Sequence, residues 1–311
     1  MTVARALLFI PEILAFLALP PLLMSVIAKT KAWFGGRVGP PWFQPYFDLY
    51  KLIQKNPVYS KTTTWLFRAG PIISLAALLT AVTLVPLLSD TSLLGFSGDV
   101  ILLAYLFALG RMFTVLAAMD TGSSFEGMGA SREVTFGSMS EPALFLSFVV
   151  LAVATKSLRL SEMVGPALLP EWQIAGPAMI LVAGALLVVL LTEACRVPVD
   201  DPATHLELTM IHEVMVLDHS GPELAYITYG ASLKFALLGS ILVHAAIPHP
   251  DALGALDPLV RVIELGVLAL LVGVIESAMA RLRLIRVPML LAGATVLSAI
   301  AVVLVLVKGT V

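Results

Sequence analysis

The sequence predicts an all-α polytopic membrane protein with about eight transmembrane helices and an amphipathic interfacial helix after the first. Three observations predict it. Apolar residues make up 59% of the 311 residues and charged residues 13%, and mean hydropathy is +0.97, a composition that leaves too little polar surface for a soluble domain. Apolar runs of roughly 20 residues, the length that crosses a bilayer, recur along the whole chain. Cys195 is the single cysteine, so the chain by itself builds neither a disulfide framework nor a thiolate-held iron-sulfur cluster, which takes about four.

The expected spans are Ala6 to Ala28, Ala69 to Leu88, Val100 to Met119, Gly137 to Thr155, Ile174 to Ala194, Leu224 to Ile247, Leu259 to Ala280 and Val287 to Val307. The fourth is the weakest, because its clean apolar part begins at Pro142; an earlier start draws Glu141 into the membrane. The first run carries Glu12 and no small-residue cleavage site, so it is expected to stay as a helix and not to be removed as a signal peptide. The chain reads as one integral membrane domain over residues 1–311, with no internal repeat and no soluble domain. Net charge of -2 and the lack of a basic block give no sign of nucleic acid as a partner.

Lysine and arginine orient the spans. Lys29, Lys31, Arg37, Lys51, Lys55, Lys61 and Arg68 lie between the first two, and the second-third and sixth-seventh connections have none. With that first loop in the cytoplasm, Arg132, Arg196, Arg281, Arg283 and Arg286 fall on the same side and only Lys156 and Arg159 dissent. Both termini then lie outside, and the expected location is the cell inner (cytoplasmic) membrane.

Three polar segments carry the chemistry. The first, 29–68, turns sharply at Gly35-Gly36 and Gly39-Pro40-Pro41. From Tyr46 it alternates Phe47, Tyr50, Leu52 and Ile53 with Asp48, Lys51 and Lys55 at helical spacing, the pattern of a helix lying on lipid headgroups. The second, 119–141, has glycines and serines from Gly122 to Gly129 that are expected to break any helix. Arg132 and Glu133 then stand at a restart capped by Ser131, with Glu141 after Ser140.

The third, 195–223, is the densest. With its flanks it gathers Glu193, Arg196, Asp200, Asp201, His205, Glu207, His212, Glu213, Asp218 and His219 between two membrane-length runs. Ionised groups so near hydrocarbon must be paired or face water, which marks a functional site. Asp201 before Pro202 has the form of a helix N-cap. His205 and His212 stand seven residues apart, whereas ligands on a zinc-binding helix are three or four apart, so no metal site is expected in the chain. Within the spans Glu12, Arg111, Lys234, Glu264 and Glu276 are anomalous. Each is read either as a tie between helices or as part of a proton route, and the two acids of the seventh span also as snorkelling.

Together these loops resemble the membrane-arm subunit 1 family of respiratory complex I and its relatives, the anchor subunits of group 4 membrane-bound nickel-iron hydrogenases. Arg37-Val38-Gly39-Pro40, Gln44, Asp48, Lys51 and Leu52 match the first-loop pattern. Asp120-Thr121-Gly122-Ser123, Gly129-Ala130-Ser131-Arg132-Glu133 and Glu141 are similar to the hydrogenase branch, the formate hydrogenlyase subunit 4 type. Glu193, Arg196, Pro198, Asp200 and Glu207 stand where the family has Glu, Arg-x-Pro-Phe-Asp and Glu-Leu, although Val199 replaces the Phe and Ala203 and His205 replace two acids.

The resemblance implies a membrane anchor and proton-coupling subunit. Arg37, Gln44, Asp48 and Lys51 would meet the redox arm, and Glu193, Arg196, Asp200, Glu207, His212, Glu213, Arg132, Glu141 and Lys234 would form the coupling chamber. It implies no redox centre in this chain. The nickel-iron site and iron-sulfur clusters would sit on partners: hydrogenase-like large and small subunits, an iron-sulfur subunit and antiporter-like membrane subunits. Two alternatives stand beside it, the quinone-site subunit of a complex I type dehydrogenase and an independent secondary transporter.

Overall fold

A computed structural model describes residues 3–200, 210–250 and 256–308, and every regular element among them is a helix. Eight helices have the length and hydropathy to cross a membrane. They are α1 (Val3–Phe34), α3 (Trp65–Val82), α4 (Asp99–Asp120), α5 (Ser124–Thr155), α7 (Leu168–Glu193), α9 (Gly221–Ala246), α10 (Asp257–Ala278) and α11 (Val287–Lys308), and the short helices α2 (Gln44–Ile53), α6 (Leu160–Val164) and α8 (His212–Met215) lie between them.

The connections segregate into two ends, and polar contacts tie each end together. At one, Asp120 receives the backbone N–H of Thr64 at 2.6 Å and of Phe67 at 3.3 Å, placing a carboxylate at the N-terminus of α3 where the helix dipole favours it. At the same end Ser220 accepts from the Val58 N–H and Leu282 donates to the Pro198 carbonyl. At the opposite end Glu12 accepts from the N–H groups of Leu88 and Ser89, both at 3.0 Å, and Asp99 accepts from Leu160 N–H at 2.7 Å. The N-terminal end of α1 and the C-terminal end of α11 lie toward this second end.

The centre of the bundle is α9, two-thirds buried and in contact with α1, α3, α7 and α10. One side of it is the α1–α10 pair, and the other is the group α5, α7 and α11. Buried Leu, Val, Ala and Phe from all eight spans make one continuous core. Prolines bend the spans: Pro177 removes one backbone donor from α7, and the helix kinks at Ala175 with φ -121° and ψ 30°.

Three features differ from the sequence reading. Helix α1 continues through Lys29 and Lys31 to Phe34, and α3 stops at Val82, where the chain turns before Pro86. The helix break expected between Gly122 and Gly129 is confined to residues 121–123, with Gly122 at φ 71°, and the restart comes at Ser124 and not at Ser131: α5 runs unbroken through Gly127, Gly129, Arg132 and Glu141. The reason is tertiary. A Cβ on Gly129 would sit 2.3 Å from Val214 and 3.0 Å from the Ile211 carbonyl, so glycine here lets α8 lie directly on α5. At 32 residues, α5 is about 48 Å long and outreaches a bilayer core of about 30 Å by several turns. The helix expected from Pro202, with Glu207 and His205 on it, lies outside the described residues.

The amphipathic helix is present as α2. None of its side chains is buried, and the Tyr46 hydroxyl donates to the Ala18 carbonyl of α1 to fix its position.

Candidate functional site

The charges of the loop-rich end form three nodes. At the first, Arg111 of α4 donates from Nη1 to Glu141 at 2.8 Å and from Nη2 to Glu193 at 2.6 Å, with Glu133 3.9 Å from its Nε. Lys234 of α9 approaches the other Glu193 oxygen at 2.6 Å, and Ser140 donates to Glu193 at 2.8 Å. Four spans therefore meet on a carboxylate whose side chain is 5% exposed. Glycine at 137 makes the room: a Cβ there would lie 2.3 Å from Arg111 Nη1. Charge this deep is held only when every partner is present.

At the second node Glu276, with a fully buried side chain, lies 2.9 Å from Lys31 and 3.4 Å from Arg196. Arg196 also touches the Met24 sulfur and lies over the Phe235 ring at 6.0 Å. At the third, Asp200 accepts from the N–H groups of Ile211 and His212 at 3.0 and 3.1 Å and meets Arg281 at 3.0 Å. Asp200 thus ties the start of α8 to the chain leaving α10.

Three adjoining cavities run through these nodes. A cavity of about 340 Å³ lies between α1, α9 and α10, lined by Lys31, Arg196, Asp200, Glu213 and Glu276. A second, of about 70 Å³, is lined by Arg111, Glu133, Glu193 and Lys234. Cys195 and His212 line both. A third, of about 240 Å³, lies between α4 and α5 beside Glu141 and shares Arg111 and Glu193 with the second. Tyr105 and Phe145 on its wall are 68% and 45% exposed, so it opens on the lateral face of the bundle.

Local backbone geometry presents Cys195 to these cavities. The end of α7 is a Schellman motif, with Arg196 N–H donating to Leu191 and Cys195 N–H to Thr192. Cys195 takes the left-handed seat at φ 51°, where glycine is the usual occupant. Burial pushes its thiol well above the ordinary range, and the Glu133 and Asp200 carboxylates push the same way. At the same end of the bundle, His219 stacks on Phe67 at 3.9 Å, and burial lowers its pKa against the opposing pull of Glu223.

Of the residues read from sequence, Glu193, Glu141 and Lys234 come together at one node, and Arg196, Asp200, His212 and Glu213 line the adjoining cavity. Arg132 holds the loop that follows the 201–209 segment, its Nη1 donating to the Met210 carbonyl at 2.9 Å. Glu207 lies outside the described residues. Arg37, Asp48 and Lys51 are exposed on the surface of the same end, with Gln44 donating to Asp48 at 2.8 Å. Glu276 does not snorkel, being enclosed by two cations, and neither does Glu264, which meets His249 at 2.8 Å and Arg261 at 3.2 Å at the opposite end. Sequence reasoning left Arg111, Glu133, Lys31 and Cys195 out of the site, although the charge of Arg111 within a span was a usable signal.

Known proteins bear on this architecture. The chain is 31% identical to formate hydrogenlyase subunit 4 of Escherichia coli (strain K12) over 88% of its length and 90% of that protein. It is 33% identical to hydrogenase-4 component C of the same organism, over 76% of this chain and 73% of that one. A chain of the membrane-bound sulfane sulfur reductase, an archaeal respiratory membrane complex, shares the fold at a TM-score of 0.82 and 21% identity, covering 97% of this chain and 98% of that one. The family model described as NADH dehydrogenase matches residues 6–308. The chain belongs to that family.

Proposed function

We propose that this chain is the membrane anchor and proton-coupling subunit of a hydrogenase-like complex, linking a soluble redox arm to ion-translocating membrane subunits. The observation that carries the proposal is the row of adjoining cavities, the first two sharing Cys195 and His212 and the second and third sharing Arg111 and Glu193, from the loop-rich end to the lateral face between α4 and α5. Such a row offers a polar route across the bundle at the depth where the charges lie, from a redox partner above to a membrane partner beside. The relatives in formate hydrogenlyase and hydrogenase-4 support the hydrogenase-like assignment. The connections at the chamber end carry most of the loop Lys and Arg, including Lys51, Lys55, Lys61, Arg281, Arg283 and Arg286, against Lys156 and Arg159 at the other, which supports a cytoplasmic chamber mouth in the inner membrane.

The exposed Arg37, Asp48 and Lys51, with Trp42, Phe43, Phe47 and Tyr50 around α2, offer the redox arm a charged and aromatic docking surface. Nickel-iron chemistry and iron-sulfur clusters then belong to the large, small and iron-sulfur partner subunits, and antiporter-like subunits take the lateral face. Metal analysis of the native complex co-purified on this chain tests the reading. Stoichiometric nickel with excess iron is expected. Iron without nickel would redirect the assignment to a quinone-type relative, and a chain that purifies without metal or partner would overturn it in favour of a transporter.

A further inference from the structure

A metal-ligand set lies on the wall between the two inner cavities. One carboxylate oxygen of Glu133, the sulfur of Cys195 and a ring nitrogen of His212 all lie within 4.8 Å of one another. Three atoms so spaced fit within about 2.8 Å of a common centre, against bonds of about 2.0–2.3 Å to zinc, so each ligand has about 0.5–0.8 Å to close at most. The three come from three separate segments: the interior of α5, the residue after the C-cap of α7 and the first residue of α8. This is why the seven-residue spacing of His205 and His212 gave no hint of it.

Two further observations point to a ligand. His212 Nε2 is buried with no hydrogen-bond partner, a cost that an ion or an ordered water removes. Its backbone is fixed by the Asp200 clamp at 3.1 Å. The adjoining cavity, about 70 Å³, has room for an ion and a water, which takes about 30 Å³. Charge also balances. A divalent cation against the Glu133 carboxylate and a Cys195 thiolate leaves the three neutral together, the thiol proton leaving to solvent as the sulfur-metal bond forms.

We propose that Glu133, Cys195 and His212 form a binding site for a zinc-class divalent cation, three-coordinate from the protein with the fourth position facing the cavity. An ion there pins α5, the α7 cap and α8 together at the junction of the two inner cavities.

The test is cobalt(II) titration of the full-length chain without a histidine tag, chelator-treated in mild detergent. Because Cys195 is the only thiol, a thiolate-to-cobalt charge-transfer band reports this site alone. One equivalent of cobalt is expected to produce that band with tetrahedral d–d absorption, and zinc to displace it. C195G places glycine in a seat that favours glycine, so it removes the sulfur without straining the helix end, and it should abolish the band. H212N and E133Q should each weaken binding at least about tenfold, the lower end of what loss of even a supporting contact costs. As a readout on the unmutated chain, zinc should protect Cys195 from alkylation. A wild-type chain that gives no band and whose Cys195 alkylates at the same rate with and without zinc overturns the proposal.

Discussion

Replacing Arg111 with Met is expected to destabilise the protein by about 3–5 kcal/mol, the usual cost of removing one member of a buried ion network. The loss comes chiefly from Glu193. Its side chain is 5% exposed and keeps only Lys234 and Ser140 once the guanidinium is gone. Glu141, at 41% exposed, is solvated and adds little. Thermal unfolding in detergent measures the effect. Arg111→Lys should recover only part of the stability, because one ammonium does not span Glu141 and Glu193 as the two guanidinium nitrogens do. Full stability in R111M would mean that the node is solvated and that Glu193 needs no cation from α4.

The second large effect is expected at the opposite end of the bundle. Arg261 is completely buried and meets Asp90 at 3.0 Å, Glu264 at 3.2 Å and Asp257 at 3.7 Å, while His249 bridges Asp257 and Glu264 at 3.0 and 2.8 Å. Arg261→Met leaves three carboxylates in one buried place and is expected to cost about 3–5 kcal/mol at neutral pH. The defect has a pH signature. Burial already raises the pKa of Asp90, and Arg261 is the cation that opposes the shift. Without it the folded-state pKa rises further above the unfolded value, so the folded state binds more protons than the unfolded one and stability falls as pH rises. The gap between variant and wild type should therefore narrow as pH is lowered from neutrality and the raised carboxylate takes up its proton. A gap that does not change with pH would assign the loss to packing alone.

Much of the fold was legible because the bilayer imposes one rule on every span. A run of roughly 20 apolar residues declares itself without knowledge of its neighbours, and all eight spans are present, several with ends displaced by a turn or more. The failures share a different cause. Gly127 and Gly129 look like helix breakers in isolation, yet Gly129 is the seat on which Val214 and Met215 pack, and only the tertiary contact shows that α5 continues through them. The site follows the same division. Glu193, Asp200 and Lys234 stand out by charge and position, whereas nothing in the order of residues says that Arg111, 82 positions before Glu193, reaches it. Cys195 carries no charge and no motif, and its place beside Glu133 and His212 depends on how α5, α7 and α8 meet.

The central claim is that Glu193 sits on the path coupling redox turnover to ion movement. The most direct measurement is the ratio of protons translocated to turnovers for the native complex in proteoliposomes, wild type against Glu193→Gln. Gln keeps the size of the side chain and its contact with Ser140 but leaves no charge between Arg111 and Lys234. Dye-linked activity of the soluble arm should persist while the proton ratio falls to background. An unchanged ratio in assembled E193Q complex would contradict the account.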